Sequence, residues 1–330
     1  MSGAPERLLD TAFVTLHAPW SVGLTFLGLE LTVVACGVLA LIHALRARRD
    51  GDGAPLFVWG VSFTYGLVME LLSYNFIDAF SHGQFTVMFY RRQLPLYVVT
   101  LYPVLQYTSI MTARRLRLGL VAEAFAAGAL MVSMDAPFDI LGAHQRWWAW
   151  SATDPNVGFR WHDVPVTSYY WHLAFGGILA GLTRAFGRYG GDRARPWRIA
   201  ALALPISALT IVLGGIAFLP FHFLKSRGVP DGTIVVGLFV LSLAVVALAR
   251  RTSAETAAPD ARLFAIPVAY YAYFLVVALA QLATEGATFG GRMAVIASVL
   301  ALAFAAHWMA HRPGARGEQA GALEPARPLP

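Results

Sequence analysis

Hydrophobic positions along this chain fall into long unbroken runs, without the alternation of strands or the one-sided stripe of soluble helices. Apolar segments of about 20 residues are long enough to cross a hydrocarbon core. Read on that criterion, the chain gives about nine spans, at residues 21–45, 56–74, 94–113, 118–141, 165–186, 199–220, 232–250, 264–284 and 292–311. The pattern predicts an all-α, polytopic transmembrane helix bundle forming a single domain over residues 1–312. Residues 313–330, rich in Pro, Gly, Ala and Arg, cannot bury a core and are expected to be a disordered tail.

The polar positions between these runs are unequal. Arg46, Arg48 and Arg49, then Arg114, Arg115 and Arg117, then the group from Arg184 to Arg198, then Arg250, Arg251 and Arg262, and finally Arg312 onward would share one side. The positive-inside rule makes that side cytoplasmic, with the N-terminus outside and the C-terminus in the cytoplasm, which suits the plasma (inner) membrane. The first apolar run has no basic region before it and no small-residue cleavage site after it, so it is expected to be a retained span. The loops assigned to the outer side, 75–93 and 142–164, are long, aromatic and furnished with His, Asp, Asn and Gln.

Composition agrees with the membrane reading. Hydrophobic residues make up 57% of the chain and charged residues 13%, well under the charged fraction of about 25% in soluble domains. The net charge of +6 resides in loops that would face anionic lipid, so it gives no argument for nucleic acid. Cys36 is the only cysteine, which excludes an intramolecular disulfide and any cysteine-based metal site. His307 and His311, spaced i,i+4 at a helix end, read as a polar terminus more readily than as a metal pair. The chain contains no nucleophile elbow, Walker loop, dinucleotide fingerprint or His-box cluster, and no cofactor is expected.

The candidate chemistry lies in carboxylates at the ends of apolar runs, where burial is costly without a partner or a task. Glu70 falls a turn inside its span, where a buried carboxyl can act as a proton donor. Asp135 and Asp139 share a helix face, and Pro137 between them suggests a helix kinked or ending there. Such a pair could share a proton, accept from Arg or Trp donors, or coordinate a divalent cation. No ligand spacing compels metal, and none is assigned.

Asn75, His82, Trp147, Trp148, Trp150, Trp161, Tyr169 and His172 surround these acids in sequence as candidate substrate-binding groups. Any one of these tryptophans alone is more readily an interfacial belt residue. Their density also suits a cavity wall whose ring faces hold a polyene or a carbocation.

Two segments resemble each other. Met69-Glu70, an aromatic loop and Leu94-Pro95-Leu96 are echoed by Met134-Asp135, a second aromatic loop and Val164-Pro165-Val166, with a weaker third copy from Leu219-Pro220-Phe221-His222 to Gly228-Val229-Pro230. The order of acid, aromatic loop, aliphatic-Pro-aliphatic and long span, with Trp148-Ala149-Trp150 in the second copy, resembles the multi-pass carotenoid hydratases and their lycopene cyclase relatives over about residues 66–186. The resemblance implies acid-catalysed protonation of a polyene double bond followed by water capture or cyclisation, with Glu70 and Asp135 as acids and Asp139 orienting or acting as a second acid. The chain departs from that pattern at Asp163, where the family has glycine before Val-Pro, and at Arg92-Gln93-Leu94-Pro95. Leu94-Pro95-Leu96-Tyr97 with Leu101-Tyr102-Pro103, and Trp147-Trp148 with Thr153-Asp154-Pro155-Asn156, also resemble an uncharacterised multi-pass family.

The sequence therefore leads to an enzyme acting on a membrane lipid or isoprenoid small molecule. A transporter or receptor for a polar solute or protons, and a structural membrane subunit without catalysis, are the alternatives. A prenyl-transfer enzyme is disfavoured because Asp135-x-x-x-Asp139 is half of a diphosphate site and no second half follows.

Overall fold

The computed structural model describes residues 12–77, 80–152, 158–190, 196–249 and 258–311. Asp78, the stretch Asp154-Pro155-Asn156, the 313–330 tail and parts of the 187–198 and 252–262 loops lie outside the described residues.

Ten α-helices are present among the described residues: α1 Leu24–Arg49, α2 Ala54–Leu72, α3 Leu96–Tyr102, α4 Thr108–Arg115, α5 Leu120–Gln145, α6 Val166–Gly190, α7 Pro196–Ser226, α8 Asp231–Leu248, α9 Ala261–Glu285 and α10 Ala287–His311. Two π turns extend this set. Ser73–Ile77 prolongs α2, and Pro103–Tyr107 joins α3 to α4 in one rod. Among the described residues, seven helical segments are long and apolar enough to cross a membrane: α1, α2 with its π turn, α5, α7, α8, α9 and α10. The protein is a helical membrane protein. The other two segments anticipated from the sequence, 94–113 and 165–186, are also helical, one interrupted at Pro103 and the other carrying Ser168, His172 and Arg184.

Helix α5 is the axis of the bundle, packing against α4, α6, α8 and α10. Apart from Glu123, Asp135, Asp139 and its last turn, its sequence is apolar or small on every side, as a helix surrounded by protein requires. Gly128 permits a close approach of backbone to backbone, since a Cβ there would stand 2.2 Å from the carbonyl oxygen of Leu173 on α6. Of the two outcomes expected at Pro137, a kink or a helix end, the end is not found, because the helix continues to Gln145. A proline forfeits a single backbone bond, and packing on all sides sustains the helix beyond it.

The segments read as aromatic loops also contain short strands. β1 Val14–Leu16 pairs with β3 Val87–Phe89, which pairs with β4 Leu94–Pro95; β2 Phe80–His82 pairs with β5 Trp148–Trp150; β6 Arg160–Trp161 pairs with β7 Val164–Pro165. Both similar segments share one local build: a tight hairpin with left-handed residues at its tip, then a proline, then a helix. The tips are Tyr90, Arg91 and Arg92 in the first and His162 and Asp163 in the second. The β2–β5 pairing, with Phe80 opposite Trp150 and His82 opposite Trp148, ties the two segments together beside α2 and α5.

Candidate functional site

A cavity of about 440 Å³ lies between α2, the α3–α4 rod, α5, α6 and α7, beneath the β2–β5 ribbon. Helix α2 contributes Glu70 from its last turns, next to the π turn that begins at Ser73. Single π turns are frequent at functional sites because they shift the side chains that follow relative to the helix face. Tyr102 precedes the second π turn, and its hydroxyl donates to Oε1 of Glu70 at 2.8 Å. The other carboxylate oxygen, Oε2, lies 3.5 Å from Nε2 of His82, a residue delivered by β2. Nδ1 of His82 is in turn hydrogen-bonded to the Tyr97 hydroxyl at 3.1 Å.

Across the cavity, α5 presents Asp135 and Asp139 one turn apart, and α6 faces them with Ser168 and His172. The Ser168 hydroxyl donates to Oδ2 of Asp139 at 2.7 Å. Nε2 of His172 stands 3.3 Å from Oδ2 of Asp135. All three carboxylates are buried, Asp135 to within 1% of complete. The lining contains no lysine or arginine. Aromatic rings complete the walls: Phe138 packs on Trp148 at 4.3 Å between centroids, Phe80 meets Trp150 edge-on, and Trp171 stacks on Phe175 at 3.9 Å.

The cavity opens sideways between the end of α2 and α7. Ile77, Gly215 and His222 line it and are exposed, and their exposed neighbours Phe76, Ile216 and Leu219 are apolar.

Of the residues singled out from the sequence, the cavity gathers Glu70, Asp135, Asp139, His82, Trp148, Trp150 and His172. Four others stand apart from its lining. Trp147 is fully buried against Tyr273 and Phe274, with its indole N–H donating to Oγ1 of Thr25, and so fastens α1 to α9. Trp161 lies on Gly232 at the start of α8, with Tyr169 beside it. Asn75 is exposed, donating to the Leu71 carbonyl and accepting from the Tyr90 hydroxyl.

Sequence reasoning did not assign Tyr102, Ser168 or His222 to the site, and Trp171 counted only among the aromatic residues of a cavity wall. A signal was available for two of them. Ser168, Trp171, His172 and Phe175 have the i, i+3, i+4, i+7 spacing of one helical face, directly after Val164-Pro165.

A family model described as Domain of unknown function (DUF7802) matches residues 20–282, which include all the lining residues. No curated protein matches the chain, and no solved structure matches it.

Proposed function

We propose that the chain, which belongs to the family described as Domain of unknown function (DUF7802), is an integral membrane enzyme that adds water to, or cyclises, an isoprenoid or other lipid. The observation that carries this reading is the gathering of Glu70, Asp135 and Asp139 in one cavity without a lysine or arginine. Keeping three buried carboxyls without a compensating cation is expensive, and purely structural packing would have replaced them. A volume of about 440 Å³ suits a small-molecule site, and the apolar rim at the opening suits a substrate dissolved in the bilayer.

Glu70 is the proton donor in this reading, oriented by Tyr102 and in contact with His82. Transfer of its proton to one carbon of a double bond leaves a carboxylate on Glu70 and a carbocation on the neighbouring carbon. The ring faces of Trp148, Phe138 and Trp171 stabilise that cation. In hydration, a water oxygen bonds to the cationic carbon and gives its extra proton to the Asp135–Asp139 side, where Ser168 fixes the geometry. In cyclisation, a second double bond supplies the electron pair and a neighbouring C–H proton leaves to the same base.

We read the α3–α4 rod and α6 as crossing the membrane alongside the other seven segments. That gives nine spans, the cavity near the outer face and the arginine-rich loops inside the plasma (inner) membrane.

The test is mass spectrometry of lipids co-purified with the protein, before and after incubation in proteoliposomes made from the host's own lipid extract. Wild type should enrich an apolar lipid and convert it either to a product heavier by one water or to an isomer; Glu70→Gln should enrich it without conversion. Glu70-dependent uptake of a polar solute, with no altered lipid, would replace this reading with transport.

A further inference from the structure

We infer that Asp135, Asp139 and His172 form a binding site for one first-row divalent metal ion. The inference rests on the functional reading only in placing the ion where that reading needs a base and a source of water.

One ligand atom from each of the three side chains can be chosen so that all lie within 4.8 Å of one another. Two of these residues already have metal-like spacing: Nε2 of His172 and Oδ2 of Asp135 are 3.3 Å apart. Ligands bound tetrahedrally at about 2.0–2.2 Å from zinc sit about 3.3–3.6 Å from each other.

A second observation concerns the hydrogen bonds that are missing. No N–H or hydroxyl donates to either carboxylate oxygen of Asp135, although the side chain is 1% exposed and faces the cavity; its carboxyl meets that of Asp139, a second acid that brings no cation. The contact with His172 lies outside hydrogen-bond geometry, since Oδ2 remains without a donor. Nδ1 of His172 is likewise buried without a partner. Elsewhere, Glu30 accepts from the Thr86 backbone N–H and hydroxyl and from the Val87 N–H, and Glu123 is paired with Arg184. Asp135 has neither kind of compensation, and the cavity lining supplies no lysine or arginine.

A divalent ion balances the two aspartates in charge and satisfies the bare oxygens together. The donor set of two carboxylates and one imidazole fits manganese, ferrous iron or zinc better than thiophilic metals, and it resembles three-ligand catalytic sites that leave a position open for water. All three ligands line the cavity, as Glu70 does, so an open position on the ion would be reached from it. Ser168, bonded to Asp139, occupies the place of an outer-shell group that orients a ligand. A water on such an ion loses a proton near neutral pH and becomes the nucleophile that hydration requires.

The experiment strips the purified chain with a chelator in detergent, reloads it with Co²⁺, and reads the visible d–d absorption together with metal content. Wild type should take up about one Co²⁺ per chain and show the spectrum of a low-coordinate N/O site, displaceable by Zn²⁺. His172→Ala and Asp139→Asn should lose the band, while Glu70→Gln should keep it. Ser168→Ala, which conserves the ligands, should weaken binding by about 10-fold or more. Equal Co²⁺ uptake by wild type and by folded His172→Ala overturns the site, as does the absence of uptake by folded wild type. The two proposals fail separately. Metal bound by wild type with no change in any lipid removes the enzymatic reading and keeps the site, whereas full lipid turnover by chelated protein that takes up no Co²⁺ removes the site and keeps the reading.

Discussion

Two groups of buried carboxylates in this bundle are treated in opposite ways. Where α4, α5 and α6 meet near the arginine-bearing loops, Glu123 is gripped by Arg184, with Arg114 at 3.7 Å on its other oxygen. The half-buried Asp260 is likewise paired: it caps α9, accepting from the Leu263 N–H at 3.0 Å and from His43 at 2.8 Å. In the cavity, Glu70, Asp135 and Asp139 have histidines and hydroxyls but no arginine or lysine. Burying a charge costs several kcal/mol unless it is paired. The first group meets that cost and holds helices together. The second has hydroxyl donors to Glu70 and Asp139 but no cation to meet it.

The largest effect should come from imposing the cavity's condition on the paired group. Arg114→Met with Arg184→Met leaves Glu123, 3% exposed, without a cation, and should destabilise the bundle by about 3–5 kcal/mol. Thermal unfolding in detergent measures this, and adding Glu123→Gln to the double variant should restore part of the loss. No restoration would mean that the arginines act through packing alone.

The wall between the groups is next. Gly128→Ala would place a methyl 2.2 Å from the Leu173 carbonyl oxygen, where the obstacle is backbone. The expected loss is about 1–3 kcal/mol. Forcing α5 from α6 also moves Asp135 and Asp139 away from His172 and Ser168, so metal uptake should fall further than stability. Gly181→Ala is the control, because its new methyl meets only the Ala124 Cβ at 3.8 Å. Equal effects at the two glycines would refute the close-contact account.

A smaller effect belongs to Asp260. Burial pushes its carboxyl up, but hydrogen bonds from His43 and the Leu263 N–H, with the charges of His43 and Arg115, outweigh that and hold it below the usual carboxylate range. A depressed folded pKa stabilises above the unfolded value of about 3.9, and the contribution is lost as pH falls through the folded value. Acidification below about pH 4 should therefore erode wild-type stability more than that of Asp260→Asn. At neutral pH, Asp260→Ala should cost about 0.5–2 kcal/mol through the lost cap. Parallel pH profiles for wild type and Asp260→Asn would show that the carboxylate is not held as described.

The two groups were unequally legible in the sequence. Apolar runs located the helices because backbone satisfaction in lipid leaves few other structures. The i,i+4 spacing of Asp135 and Asp139 placed them on one face, and each similar segment pointed to an acid, although α5 runs on to Gln145 beyond Asp135. What escaped was set by distant pairing. His82 reaches Glu70 because β2 pairs with β5, and nothing local to Ser81-His82-Gly83 announces Trp148 as its partner. Trp147 and Trp148 are adjacent, yet the first fastens helices and the second lines the cavity. Both follow Arg146, which turns left-handed at the end of α5. Composition cannot separate two neighbouring indoles with opposite roles. Pairing of Glu123 with Arg184 depended likewise on α5 and α6 running side by side, which hydropathy does not specify.

The smallest change in stability should accompany the greatest change in function. Asp135→Asn removes a charge that no lysine or arginine in the lining balances and keeps the side chain's shape, so in chelated protein the unfolding midpoint should stay level or rise. Glu123→Gln, an equally conservative change, strands Arg114 and Arg184 and should lower the midpoint. Measured side by side, the pair separates a carboxylate that holds the bundle from one that the bundle tolerates. A drop for Asp135→Asn as large as that for Glu123→Gln would mean that the cavity acid is structural, and the contrast between the two groups would fail at the residue on which both proposals depend.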